Sequence, residues 1–419
     1  MRFPTLFPRF AAPAALALAA ACASDEVAPS GITNPQFTAN TGVLTRYVAL
    51  GNSITAGFQS SGINDSTQQR AYPVLFARAA RIPFYYPSLA GIGCPPPFTI
   101  NVTQARVGGG AATTCGLRSP NAFPYLSNLA VPGARMLDAA NNFAPTSAAN
   151  QLTQFILGGR TQLQALRAAN PTLVSLWLGN NEILGSLTNV NTANPAASQP
   201  GDSTLVVPVA TFQAQAKAVL DTIQILGAQA VIIGVGDISS LPYASTGTLY
   251  HCLRNGGCPG ITPALPPALT VTNCLPPRAD SVLVPWPIGI GLVNAAAGNI
   301  PVTLDCNNTA QVVTPAEFRF LRTTVAAYNA YLSSEATARA WPFMDPNPIL
   351  QQGRTIAGAV LPFPALPSPQ TGGNLLFGTW FSLDGVHPSS LAHRIFADSL
   401  ISLVNRRYGR TIGFIGQTP

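Results

Sequence analysis

The sequence predicts an α/β protein: a doubly wound, three-layer α/β/α sandwich with a mainly parallel sheet. Two observations carry this. Short continuous apolar runs, the pattern of strands buried on both faces, alternate with longer segments whose apolar residues recur at helical spacing. The 419 residues are also enough to bury a large core. In such folds ligands bind beyond the carboxyl ends of the strands, so the residues that follow each strand are where chemistry is sought.

The predicted strands are Tyr47–Leu50, Pro83–Tyr86, Leu173–Leu178, Ala230–Val235 and Trp341–Met344. Between them lie the predicted helices Pro73–Ala80, Ala149–Asn170, Pro208–Leu226, Pro315–Thr337 and Pro388–Tyr408. The fourth helix has a start signal in Thr314-Pro315-Ala316-Glu317: an N-cap, a proline at the first helical position and a glutamate to close a capping box. Phe318, Leu321, Val325, Tyr328 and Leu332 follow at helical spacing. The last helix carries Leu391, Ile395, Leu400 and Leu403 and is ended by Gly409.

Residues 240–313 break the alternation. They hold four cysteines, many prolines and an uncharged run from Ser281 to Leu304 whose prolines and glycines argue against a regular membrane-spanning helix. The segment reads as a disulfide-pinned insertion, either packed on the domain or, from its place after a strand end, lying over the site as a lid or acyl-contacting loop.

Composition, with low charge and many prolines and glycines, fits an exported protein better than a cytosolic helical one. Charged residues are only 9% of the chain, against about 25% in typical soluble proteins, so Ser, Thr, Asn, Gln, Gly and Pro must build the surface. Arg2 and Arg9 precede the apolar stretch Phe10–Ala21, which is too short for a membrane span and ends in small residues, so residues 1–21 read as an export signal. Leu18-Ala19-Ala20-Ala21-Cys22 is similar to a bacterial lipoprotein cleavage box, with Cys22 as the acylated residue and a membrane lipid anchor; cleavage after Ala21-Cys22-Ala23 is the competing reading. Residues 22–42 lack periodicity and read as a tether, 43–410 as the folded domain and 411–419 as a tail. The net charge of +7 comes from thinly scattered arginine, which gives no support to nucleic-acid binding.

Setting Cys22 aside leaves Cys94, Cys115, Cys252, Cys258, Cys274 and Cys306, an even number suited to an oxidising compartment. Proximity favours the pairs Cys94–Cys115, Cys252–Cys258 and Cys274–Cys306, each closing a loop without a helix or strand pattern. A metal site is the alternative, but no C-x-x-C pair occurs and only His251 lies near these cysteines.

The chemistry centres on Ser53, which follows the first predicted strand between Gly51 and Gly57. Alone, it is as well explained by turn chemistry. A serine becomes a useful nucleophile only beside a base that is itself oriented. Of three histidines, His387 stands just before the last helix with Asp384 three residues earlier, a spacing that lets a tight turn bring the carboxylate to Nδ1. The bland reading of that pair is a turn and a helix cap. Gly133 in Asn128-Leu129-Ala130-Val131-Pro132-Gly133-Ala134, and Asn181 after the run ending Trp177-Leu178-Gly179, offer an amide and a side-chain donor which, with the Ser53 amide, would form an oxyanion hole. His393 reads as a helix-surface residue, His251 as a loop residue and Trp177 as core.

Taken together, these segments resemble the SGNH (GDSL-type) hydrolases. The blocks GNSITAG with Ser53, NLAVPGA with Gly133, LGNNE with Gly179 and Asn181, and DGVHPS with Asp384 and His387 occur in the family's order over roughly residues 45–408. The resemblance implies a flavodoxin-like sandwich, Ser53 as nucleophile, His387 as base and then acid, Asp384 as its orienter, and Ser53, Gly133 and Asn181 as the oxyanion hole. It also implies that no metal or organic cofactor is needed. Two departures stand out: Asn52 and Glu182 occupy positions where the family usually has aspartate.

The expected activity is hydrolysis of carboxylic esters through an acyl-enzyme. Lipid or other acyl esters and acetylated glycans are both compatible substrates, and the apolar insertion leans toward a lipid-like acyl group. Peptidase or thioesterase chemistry shares the same residues. The reading from another class is a non-catalytic envelope binding module that retains the fold.

Overall fold

In the computed structural model, residues 42–416 are described, except 102, 117, 120–122, 142–154, 191–198, 257, 259–264 and 364–376. The export signal, Cys22 and most of the tether therefore lie outside the described residues. The domain is built on a parallel sheet in the order β1 (Tyr47–Gly51), β2 (Leu173–Trp177), β3 (Gln229–Ile233) and β4 (Phe343–Met344). Tyr47 lies opposite Leu173, Leu173 opposite Gln229, and Phe343 opposite Ile232. Among the described residues, the helices that flank or extend it include α1 (Ser53–Ala56), α2 (Tyr72–Ala79), α3 (Gln162–Ala169), α4 (Asn181–Thr188), α5 (Val209–Ile225), α6 (Pro315–Ala338), α7 (Asn347–Thr355) and α8 (Ser390–Tyr408).

The period of two along each strand makes the three layers. Val48, Leu50, Val174, Leu176, Ala230 and Ile232 face one way, into a core completed by Leu166 of α3, Phe212 and Leu220 of α5, and Leu321 and Tyr328 of α6. Tyr47, Ala49, Trp177, Val231 and Ile233 face the other way, against Tyr72 and Phe76 of α2 and Phe396, Leu400 and Val404 of α8. Each such leucine, isoleucine or phenylalanine stabilises the fold by about 1.5–3 kcal/mol relative to exposure. The predicted start of α6 is present: Thr314 accepts from the Glu317 amide while Glu317 accepts from the Thr314 amide over 2.7 Å. The last helix starts two residues later than expected, capped by Ser389, and ends at Gly409 with φ 61°.

Two elements differ from the sequence expectation. Pro83–Tyr86 is not a strand. Its place beside β1 is taken by the segment after Ser127, which bonds β1 through Ser127 O to Ala49 N and Leu129 N to Ala49 O, while the Tyr85 carbonyl accepts from Ser127 N. Prolines at 83 and 87 deprive the run of amides that a ladder would need. The expected helix Ala149–Asn170 is described only as α3. Gly158 and Gly159, at φ 60° and 82°, interrupt the chain, and α3 restarts from a Thr161–Gln164 capping box. Residues 149–154 lie outside the described residues.

The insertion has a core of its own around Tyr250, Leu253, Leu269, Val284 and Leu304. The structure joins Cys94 to Cys115, Cys252 to Cys258 and Cys274 to Cys306. Two of these bridges do not close featureless loops. Cys252 sits on the helix Gly247–Asn255, as does His251, so His251 is not a loop residue. Cys274 and Cys306 follow the paired parallel strands Leu269–Thr272 and Val302–Asp305. The uncharged run forms the helix Trp286–Ala297, with Pro287 tolerated in its first turn. No described helix is long and apolar enough to cross a membrane.

Candidate active site

Ser53 opens α1 directly at the carboxyl end of β1. The neighbouring Asn52 side chain caps this turn by accepting from the Ile54 amide at 3.1 Å. Gly51 is required by close approach, since a Cβ there would stand 2.0 Å from Thr55 Oγ1. The serine hydroxyl is thereby held at the sheet's edge instead of continuing along a strand.

His387 reaches it from the far end of the chain. Its Nε2 lies 2.8 Å from Ser53 Oγ, and its Nδ1 lies 2.8 Å from Asp384 Oδ2. The Phe58 ring packs 4.9 Å from the imidazole, centroid to centroid. Asp384 is buried, and its two oxygens are well supplied with donors. Oδ1 accepts from the amides of Val386 and His387 and from Ser382 Oγ, and Oδ2 also accepts from the Ser61 amide at 2.7 Å. Burial pushes this carboxyl up, but His387's charge and these hydrogen bonds outweigh it and hold the group down at about 2. It is a carboxylate at any pH near neutral. Tyr243, from the start of the insertion, donates its amide to the Gly385 carbonyl in the same turn.

The turns carrying Ser53 and His387 are laced together. The Ser60 amide donates to Ser382 Oγ, the Leu383 amide to Ser60 Oγ, and Ser390 Oγ to Gln59 Oε1. Asn101 adds its side-chain amide to the Leu383 carbonyl. Sequence reasoning missed this brace, because backbone amides have no residue signature; the serines at 60, 61 and 382 were the only visible trace.

The two expected oxyanion donors are placed differently. Asn181 begins α4 and lines the same cavity as Ser53 and His387. One hydrogen of its Nδ2 is given to the Ala134 carbonyl at 2.9 Å. Gly133, at φ 83°, is not among the cavity-lining residues, but it adjoins the carbonyl that Asn181 grips. Glu182 continues the same clamp: it is fully buried, and Oε1 accepts from the Met136 amide while Oε2 has no hydrogen-bond partner among the described residues. Burial raises its carboxyl to about 7.

His393 is a correction. It is fully buried, not on the helix surface, and its Nδ1 accepts from the Tyr72 amide at 3.2 Å. Burial, aided by His387's charge, lowers it to about 3, so it is neutral. Trp177 is in the core as expected, with one edge on the cavity. Among the described residues, no group of three or more His, Cys, Asp and Glu side chains is placed to hold a metal ion.

The cavity beside Ser53 measures about 60 Å³. Its walls come from Leu184 of α4, Ile238 and Leu241 after β3, Leu350 of α7 and Phe381 before the Asp384 turn. These walls were also missed, since they come from four separate stretches of chain.

A relationship to known proteins settles the family. The sequence pattern of the GDSL-like lipase/acylhydrolases matches residues 47–400. The chain belongs to that family. The matched span runs from the first residue of β1 into α8, so it takes in Ser53, Asn181, Asp384 and His387 together. Membership in the GDSL-like family implies carboxylic ester hydrolase activity. No curated protein sequence matches the chain. Among solved structures, it is similar to a catalytic mutant of an acetylxylan esterase from Geobacillus stearothermophilus, at 12% identity over 87% of this chain and 94% of that one, with TM-score 0.38. It is also similar to an extracellular lipase from Streptomyces rimosus, at 16% identity over 86% and 99%, with TM-score 0.34. Both likenesses are distant, and the assignment rests on the family match.

Proposed function

We propose that this GDSL-like protein hydrolyses carboxylic esters with Ser53 as nucleophile, His387 as general base and acid, and Asp384 as the orienting carboxylate. The observation that carries the reading is the single imidazole bonded at 2.8 Å to both Ser53 Oγ and Asp384 Oδ2. With Asp384 ionised, the Nδ1–H tautomer is favoured, which leaves the Nε2 lone pair facing the hydroxyl.

In the first half-reaction Nε2 takes the serine proton as Oγ bonds the ester carbonyl carbon. The carbonyl π electrons move to oxygen. Collapse re-forms the carbonyl and breaks the bond to the alcohol oxygen, which leaves with the proton from Nε2. In the second half-reaction a water gives its proton to Nε2, attacks the acyl carbon, and the acid departs as Oγ regains the proton. The Ser53 and Gly133 amides and the second Nδ2 hydrogen of Asn181 are the proposed donors to the transient oxyanion. A single donor of this kind contributes about 2.7–4 kcal/mol to the transition state. Glu182 would support them by fixing the segment after Gly133.

A fluorophosphonate probe tests the assignment. The expected result is one adduct, mapped by peptide mass spectrometry to Ser53 and lost in His387→Ala. No adduct on folded protein, or one on another residue, contradicts it. Three disulfides suit a protein that matures outside the reducing cytoplasm. In the same reading Cys22 carries a lipid anchor, and metabolic labelling with a radioactive fatty acid should be lost in Cys22→Ser.

A further inference from the structure

The apolar cavity next to Ser53 has a definite size and a floor that cannot recede. We infer that it is the acyl site and that it admits short acyl groups of two to four carbons, not lipid chains. This rests on Ser53 being the nucleophile.

The size argument is direct. A cavity of about 150 Å³ lined by aliphatic and aromatic side chains takes one benzene, or roughly 25 Å³ per carbon. On that scale the 60 Å³ beside Ser53 takes two to three carbons. The carbonyl carbon sits at Oγ, outside this volume, so acetyl, propionyl and butyryl groups fit.

The walls resist widening. Trp177, at the inner end, is 2% exposed and held edge-on between Tyr72 at 5.4 Å and Phe396 at 4.8 Å, both buried. These rings belong to the core between the sheet and α8, so a deeper channel would have to dismantle that packing. Leu350 also faces Gly236, where an added Cβ would meet Leu350 Cδ1 at 3.4 Å, an ordinary van der Waals contact that would fill the space between them. Among the described residues, Leu241 is the one residue of the insertion in the lining. The apolar insertion helix, which favoured a lipid-like acyl group in the sequence, packs instead against Phe363 and Phe377 through Trp286.

The acyl limb, not the alcohol limb, belongs in this cavity. The alcohol must receive its proton from His387 and leave before water attacks, and an alcohol enclosed here would be trapped behind the acyl-enzyme. Hydrocarbon has no such need. Each methylene buried adds about fourfold in rate until the cavity is full, and one methylene too many costs about 10- to 200-fold.

The test is kcat/KM for p-nitrophenyl acetate, propionate, butyrate, hexanoate and octanoate, which share one leaving group. The expected profile peaks between acetate and butyrate and falls at least tenfold by octanoate. Leu350→Ala should move the peak to hexanoate or beyond, and Gly236→Ala should favour acetate over butyrate by about tenfold. The half-buried Leu241→Ala offers a second widened variant should Leu350→Ala fold poorly. A wild-type rate that climbs through octanoate, or a profile unmoved by all three substitutions, overturns the proposal while leaving Ser53 as nucleophile. No hydrolysis of any ester, together with no fluorophosphonate adduct on Ser53, overturns the underlying function and this proposal with it.

Discussion

The backbone amide of Ser61 donates to Oδ2 of Asp384 over 2.7 Å, across 323 residues of sequence. The same oxygen receives Nδ1 of His387. The chain that leaves the Ser53 turn therefore returns to hold the carboxylate that orients the histidine facing Ser53. Ser53 and His387 are positioned by one continuous network, and their 2.8 Å contact follows from it.

Replacing that carboxylate with an amide tests its orienting role. Asp384→Asn keeps the size and an acceptor oxygen but can present an N–H to Nδ1, which favours the wrong tautomer. The expected loss in kcat is about 10³- to 10⁴-fold with little change in KM. Steady-state kinetics on a short-chain ester measures both, and a fall in KM-controlled binding alone would argue for a purely structural aspartate.

The depressed carboxyl of Asp384 also predicts acid behaviour. Its folded value of about 2 lies below the ordinary 3.8, so its contribution to stability is fully present above about pH 4 and is lost as pH falls toward 2. The size is about 2 kcal/mol. Urea unfolding at pH 6 and pH 3 should show a smaller difference in Asp384→Asn than in wild type.

Glu182 predicts the opposite slope. Burial raises its carboxyl from 4.5 to about 7, so the unfolded chain ionises first and stability declines as pH rises from about 4.5 to 7. Glu182→Gln retains an oxygen for the Met136 amide and removes the buried charge. The variant should gain on wild type by on the order of 3 kcal/mol at pH 8 and by nothing at pH 4. Parallel denaturation curves at the two pH values decide this.

The Cys274–Cys306 bridge spans 32 residues and pins the strands Leu269–Thr272 and Val302–Asp305 inside the insertion. Loop-closure entropy gives it about 4 kcal/mol. The double serine variant should unfold at lower denaturant. Because Leu241 is the one described residue of the insertion that reaches the cavity, the folded fraction should retain its ester activity.

Much of this arrangement was legible in the sequence, and the exceptions have physical causes. Neither Ser53 nor the Asp384–His387 pair stands out alone, since each is equally a turn or a cap; they became visible because four short blocks around Ser53, Gly133, Asn181 and His387 occur in the order that resembles the SGNH hydrolases. Pro83–Tyr86 failed as a strand because the seat beside β1 went to the segment after Ser127, a competition between distant pieces that local pattern does not contain. His393 was misplaced because α8 buries a wide face, and an imidazole with a backbone donor in reach can be buried neutral. The cavity beside Ser53 was illegible for the same reason as the Ser61 brace: Leu184, Ile238, Leu350 and Phe381 converge only in three dimensions.

Whether Ser53 is the nucleophile of an ester hydrolase is decided by p-nitrophenyl butyrate hydrolysis by wild type and Ser53→Ala under identical conditions. Turnover by wild type and a loss of at least about 10³-fold in the variant are expected, with the fold unchanged by circular dichroism. Equal turnover by the two proteins, or none by a folded wild type, would contradict that role for Ser53.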